Sequence, residues 1–202
     1  MLSDTELLDA WRQGDMGAGE ALFERYYRSV HRFFGNKVSR DVDELVQETF
    51  TACLEGRGRI TSGNFRSFLF GIAYNVFKAY LRARRKQGTS IDFLEMSIQD
   101  VAPGPSSILL QRDEERLLLE GLRRIPIDYQ VLLELRYWEQ LKTVDMAEIL
   151  GIPHPTVRGR LRRAHELLEL AMAELTTSRD VLHSTMSDLD AWARKCRKAL
   201  DV

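Results

Sequence analysis

Cysteine is nearly missing from this chain. Cys53 and Cys196 are the two in 202 residues, too far apart for a CxxC metal pair and too few for a disulfide framework. Both fall on apolar helical faces, which predicts buried thiols in a reducing compartment. No basic-then-apolar leader opens MLSDTELLDAW, and no apolar run approaches the roughly 18 residues of a membrane span. A cytoplasmic protein is therefore expected. Alternating strand patterns are absent too. There is no His/Cys/Asp cluster at metal spacing, no glycine-rich phosphate loop and no nucleophile with a base nearby in sequence. No catalytic residue, metal or cofactor is expected on these grounds.

What remains is helix. Apolar residues recur in threes and fours nearly everywhere, which predicts an all-α fold. From Ala18 to Val38 the stripe is Leu22, Tyr26, Val30 and Phe33. A long helix is expected over about 65–86, and helices resume at about Ile108. Between them, QGTSIDFLEMSIQDVAPGPSS carries Gly, Pro and Ser with Asp92, Glu95 and Asp100, and reads as a flexible acidic linker. The boundaries predicted are a domain over 1–87, a linker over 88–107, a second domain over 108–172 and a C-terminal helical extension over 173–202.

A formal net charge of −1 conceals a segmented distribution. DVDELVQETF concentrates four carboxylates, with Asp41, Glu44 and Glu48 at i, i+3, i+7 on one helix face. Val42, Val46, Thr49 and Cys53 form the inward stripe. From Arg57 to Lys86 there is then no acidic residue at all. In NFRSFLFGIAYNVFKAYLRARRK, cations alternate with aromatic rings, the combination that holds phosphates and unstacked bases. Spacing by fours assigns Phe68, Ile72, Val76 and Phe77 to the core. Asn75 can hydrogen-bond a base edge.

TVDMAEILGIPHPTVRGRLRRAHELLE reads as a helix-turn-helix. Thr143 is the expected N-cap and Met146, Ala147 and Leu150 face inward. Gly151 makes the tight turn and Pro155 suits the first turn of the second helix, whose inner face is Val157, Leu161 and Leu168. Arg158, Gly159, Arg162 and Arg163 point outward with Arg160 to one side, and arginine can bind guanine in a bidentate fashion. His154 and His165, flanking this helix, are read as cap and packing residues.

Together these stretches resemble the extracytoplasmic-function (ECF) group of alternative sigma factors of bacterial RNA polymerase, over roughly residues 4 to 172. DVDELVQETF resembles the family's acidic stretch, FRSFLFGIAYNVFKAYLRARRK its promoter-melting helix, and LRRIPIDYQVLLELRYWEQLKTVDMAEILGIPHPTVRGRLRRAHELL its promoter-reading domain. The resemblance implies a sigma region 2-like domain and a region 4-like domain. It implies that Asp41, Asp43, Glu44, Gln47 and Glu48 dock on the β′ clamp helices of core RNA polymerase. It implies that Asn64, Phe65, Asn75, Lys78, Arg82 and Arg85 bind the −10 element of promoter DNA, with Asn64 and Phe65 beside the pocket-forming loop. Arg158, Gly159, Arg160, Arg162 and Arg163 fall at the −35 element, the second domain meets the β flap, and the linker's acids suit a strand mimic. An anti-sigma factor is a further partner that the resemblance allows. Gly71 stands where the family often has a basic residue, Leu54 replaces a common aromatic, and EQLKTVDMA departs from the usual wording.

Beyond Met172 the resemblance ends. Leu182, Met186, Leu189, Ala193, Cys196 and Leu200 form an a/d seam with Trp192 beside it. A lone helix of about 20 residues is marginal in water, so this one is expected to cap the second domain or to act as an inhibitory tail. Two other readings stay open: a helix-turn-helix regulator that is not a polymerase subunit, and an enzyme. The regulator has no need of the acidic helix or the aromatic basic one.

Overall fold

The computed structural model describes residues 2–60, 65–84, 91–101 and 113–176, together with Leu189, Ala191 and Arg194. Among the described residues the regular structure is helical: α1 (Asp4–Arg12), α2 (Met16–Gly35), α3 (Val42–Glu55), α4 (Phe65–Arg84), α5 (Ile98–Val101), α6 (Asp113–Arg124), α7 (Ile127–Tyr137), α8 (Thr143–Leu150) and α9 (His154–Leu175), with a short 3₁₀ turn at Arg57–Arg59. No described helix is long and apolar enough to cross a membrane.

Local chemistry sets the ends. Ser3 and Glu6 form a reciprocal capping box at α1: Ser3 N–H donates to Glu6 Oε2 at 2.7 Å, and Glu6 N–H donates to Ser3 Oγ at 3.3 Å. The Ser3 N–H and the Ser3 hydroxyl, both donating to the Glu6 carboxylate at 2.7 Å, hold it below its ordinary pKa. Asp15 caps α2 by accepting from Ala18 N–H at 3.2 Å. The expected stripe of α2, Leu22, Tyr26, Val30 and Phe33, is buried. In α4 the buried set is Phe65, Leu69, Phe70, Ala73, Tyr74, Val76, Phe77 and Leu81, whereas Phe68 and Ile72 sit only part-buried at its edge. Cys53 is fully buried and its thiol is pushed up to about 12 by that burial; Cys196 lies outside the described residues.

Helix α1 crosses α2 at a glycine. A Cβ on Gly19 would stand 2.5 Å from the Trp11 ring. Trp11 is itself wedged against Phe23 and Phe65, with ring centroids 5.5 and 6.4 Å away, and has nowhere to move. Gly19→Ala is expected to cost about 1–3 kcal/mol, lowering the melting temperature by several degrees. Gly121→Ala meets the Met172 side chain at 2.8 Å. Methionine can swing aside, so its melting curve should shift distinctly less.

One expectation needs correction. The segment 91–101 is not a free tether. Asp92 accepts from Leu94 N–H at 2.9 Å, Ser97 and Asp100 cap each other, and Ile98 is fully buried. Met96 and Phe93 carbonyls accept from Ile127 and Asp128 N–H at 3.0 and 2.9 Å, pinning the segment to the start of α7. Residues 88–90 and 102–107 lie outside the described residues. The two helical domains also pack together: one apolar cluster runs from Leu7 of α1 to Val157 of α9, and a second gathers residues of α6, α7, α9 and the adjoining Ile125 and Trp138, with Leu189 packed against it. Leu189 shares the groove of Leu118, Leu122, Leu133 and Trp138. Apart from Leu189, Ala191 and Arg194, the extension after Thr176, including Trp192 and most of the a/d seam, is outside the described residues.

Candidate nucleic-acid and partner interfaces

On α3 the acidic face is open. Asp43, Glu44, Gln47 and Glu48 are exposed, while Leu45, Val46, Thr49 and Cys53 are buried. Aspartate and glutamate in the first turn also favour the helix through its dipole. Beside this face runs an apolar groove of about 930 Å³ between α2 and α3, lined by Met16, Phe23, Tyr27, Phe50 and Leu54 among others, with Asp43 and Gln47 on it. Met16, Tyr27 and Leu54 are exposed large apolar side chains. Leu54, a departure from the family's wording, thus supplies apolar lining. Asp41 stands apart. It takes a left-handed backbone (φ 64°), accepts from Tyr80 at 3.2 Å and pairs with Arg84 at 3.0 Å, tying α3 to α4.

Along α4 the placement is mixed. Asn75 is exposed beside a cavity of about 440 Å³ lined by Arg59, Ser67, Phe68, Ile72 and, from α8, Glu148 and Ile149. Arg59 is a member that sequence reasoning missed; its place in a run of cations ahead of the helix was the available signal. Phe65 is not at the surface. Only 1 % exposed, it packs on Trp11 and Tyr26, so its ring is core in this conformation. Lys78 lies over the Tyr74 ring at 4.1 Å, and burial lowers its pKa. Arg82 lies over Phe93 at 5.4 Å. Asn64 and Arg85 lie outside the described residues.

The cations of α4 are not left without partners, as the sequence between Arg57 and Lys86 implies. A carboxylate reaches Arg84 from elsewhere, Asp41 of α3 at 3.0 Å, while Asp128 of α7 accepts a hydrogen bond from Tyr74 of α4 and pairs with Arg160 of α9 at 3.5 Å. Burial and the Asp128 charge push the Tyr74 hydroxyl well above its ordinary pKa.

The helix-turn-helix is well formed. Gly151 ends α8 in the left-handed region (φ 64°, ψ 35°), a conformation that favours glycine. Val157 and Leu168 are buried. Arg158, Gly159, Arg162 and Arg163 are exposed along α9; Arg163 pairs with Glu166 at 3.0 Å, and Arg162 with the same residue at 4.0 Å. Arg160 turns aside to Asp128. Thr143 is the first helical residue, not the cap: its hydroxyl meets His154 Nε2 at 2.7 Å and so braces the turn, while Asp145 accepts from the Lys142 N–H at 3.3 Å. His165 Nε2 lies 2.7 Å from the Tyr137 hydroxyl, and burial lowers its pKa. Among the described residues no group of His, Cys, Asp or Glu is placed to hold a metal.

Two family models match this chain. The family model for Sigma-70 region 2 matches residues 22–87 and that for Sigma-70, region 4 matches residues 115–168. The ECF RNA polymerase sigma-E factor of Haemophilus influenzae is 31 % identical over 181 residues, covering 83 % of this chain and 94 % of the relative. The protein of the same name from Escherichia coli K12 is 27 % identical over 179 residues, 83 % and 93 % of the two chains. Among solved structures, the sigma factor RpoE, in complex with the anti-sigma factor NepR from Bartonella quintana, superposes with a TM-score of 0.57. It is 18 % identical and the match covers 79 % of this chain and 97 % of that one, a likeness of fold.

Proposed function

The chain belongs to the ECF group of RNA polymerase sigma factors, and from that premise we propose which of its surfaces does which part of the work. It is an alternative sigma factor: it joins core RNA polymerase and directs promoter recognition and opening. Sigma factors are not enzymes, and no residue here is assigned a catalytic role.

In our reading residues 1–87 grip the polymerase and the −10 element, residues 108–172 read the −35 element, and the C-terminal extension caps the second domain through Leu189. The single observation that carries the assignment is the separation of charge. One face of α3 presents Asp43, Glu44 and Glu48 beside an apolar groove, while α9 presents Arg158, Arg162 and Arg163 to solvent. A negative rim beside an apolar trough suits a basic, amphipathic protein surface such as clamp helices, and repels DNA. A row of arginines on a second helix of a helix-turn-helix suits the major groove. The β flap is then the expected contact of the second domain's remaining surface. The RpoE neighbour was solved with an anti-sigma factor, which supports a proteinaceous inhibitor as a further partner.

On the strand side, Asn75 is the base contact, with Arg59 beside it at the cavity and Lys78 and Arg82 holding phosphate. Binding energy gained on the exposed strand offsets the cost of opening the duplex. Run-off transcription with bare core polymerase on a promoter library tests the whole reading. Initiation at a subset of promoters is the expected result, and duplex binding without initiation at any promoter would instead mark a plain regulator. In the same assay Asn75→Ala should slow opening about tenfold, the effect of removing about one polar base interaction, while leaving core affinity unchanged.

A further inference from the structure

The second apolar cluster is completed by a residue from outside its own helices. Leu118 and Leu122 of α6, Leu133 and Tyr137 of α7 and Leu168 of α9 line a groove, and Leu189 of the C-terminal extension sits in it. Contacts among α6, α7 and α9 set its walls. A Cβ on Gly121 would stand 2.8 Å from Met172, so α6 and α9 approach closely there. The Tyr137 hydroxyl meets His165 Nε2 at 2.7 Å and ties α7 to α9, and Arg124 of α6 reaches Glu174 of α9 at 3.8 Å. Leu118 with Leu122, and Leu133 with Tyr137, are i, i+4 pairs on their helices. Such a walled apolar groove suits an amphipathic helix.

Leu189 is a displaceable occupant. It is only half-buried, as is Ala191, whereas Arg194 is exposed; all three have helical backbone. In the sequence, Leu182, Met186, Ala193 and Cys196 recur at threes and fours around Leu189, the pattern of a helix with one apolar side. Residues 177–188 tether it to α9 and span roughly 40 Å when extended. Leu168 lies only about 12 Å back along α9 from Thr176, so the tether reaches with slack. A helix held this way meets its groove at an effective concentration of about 1 mM. A lone helix of that length is marginal in water, so its ordering is drawn from docking. A partner helix that is already folded binds without that cost.

We propose that this groove is a helix-docking site of the second domain, and that residues 182–200 are its internal occupant, in competition with an amphipathic helix of core RNA polymerase. This rests on the reading that the second domain's remaining surface meets the polymerase. For an internal docking constant of about 0.1 mM the groove is open about a tenth of the time, and the parent chain then binds core enzyme about tenfold more weakly than a chain with a free groove.

The test uses the full chain, core RNA polymerase and a labelled peptide of residues 179–202. Leu189→Asp sets a charge against the apolar groove and should release the extension. Trypsin should then cut after Arg194 at least fivefold faster, since cleavage follows local opening, and core affinity by fluorescence anisotropy should rise about tenfold. Leu189→Met refills the groove and should match the parent in both. The peptide should bind the Leu189→Asp chain, return its core affinity to the parental value, and be displaced by excess core enzyme. Equal cutting of parent and Leu189→Asp, with no capture of the peptide, overturns the docking and leaves the reading of the second domain standing. Capture of a peptide that core enzyme never displaces, with core affinity unchanged, overturns that reading along with the competition. Weaker core binding by Leu189→Asp, with a lowered melting temperature, marks the extension as a structural cap and overturns the competition alone.

Discussion

Reversing Asp43, Glu44 and Glu48 to lysine should all but abolish assembly with core RNA polymerase, a loss of about a hundredfold or more. All three side chains face water on α3, and Asp43 lies on the apolar groove. Each reversal exchanges an attraction for a repulsion at a partner surface expected to be basic, and like charges facing each other across an interface cost several kcal/mol. Screened surface pairs contribute only about 0–1 kcal/mol singly, so a single Glu48→Gln should be mild and the triple reversal severe. The fold should survive. Asp43 and Glu44 lie in the first turn of α3, and replacing them there costs about 0.3–1 kcal/mol each through the helix dipole, a shift of a few degrees in melting temperature. Fluorescence anisotropy of labelled chain with core enzyme, at two salt concentrations, measures the loss. Undiminished affinity would remove α3 as the polymerase-binding surface. Asp41 is left out deliberately, since it ties α3 to Tyr80 and Arg84, and its replacement would confuse a weakened interface with a loosened helix pair.

Much of this organisation is legible in the sequence because its signals are local. The period of α2, the turn at Gly151 and the outward set Arg158, Gly159, Arg162 and Arg163 depend on neighbours within one or two helical turns. What is not legible depends on partners distant in sequence. Lys37, in FGNKVS, has the look of a loop cation, and only the arrival of Glu134 from α7 makes it a buried one. The stretch from Arg57 to Lys86 does lack acids, but a chain neutralises charge through space, and Asp41 of α3 reaches Arg84. Phe65 opens a basic helix and invites a surface reading; α1 brings Trp11 over it and puts it in the core. Composition marks 91–101 as linker. Asp92 and Asp100 are there as caps, and Ile98 finds a buried seat. The expected cap at Thr143 is one position off because its hydroxyl braces His154 across the turn instead of closing the helix start.

The same distinction decides what should happen on α9. Arg158, Arg162 and Arg163 together to alanine should nearly eliminate specific binding to a promoter duplex carrying the −35 element. A bidentate arginine–guanine pair discriminates by about 1–3 kcal/mol, whereas a phosphate interaction contributes less but uniformly across sequences. Salt separates the two. Removing an arginine that held a phosphate should lower the slope of log affinity against log salt by about one; removing one that read a base relaxes specificity at one position and leaves the slope alone. Arg160→Ala is the informative contrast. Its guanidinium pairs with Asp128, so its removal should leave duplex affinity close to the parent's and weaken the grip of α9 on α7. Glu166 holds Arg163 at 3.0 Å and lies 4.0 Å from Arg162; Glu166→Ala frees both and removes a charge that repels DNA, and should raise duplex affinity modestly, most at low salt. If Arg160→Ala instead proved as damaging as Arg158→Ala, the face of α9 that meets the duplex would have to include the flank now turned to α7, and the helix would enter the groove rolled from the orientation its exposed arginines define.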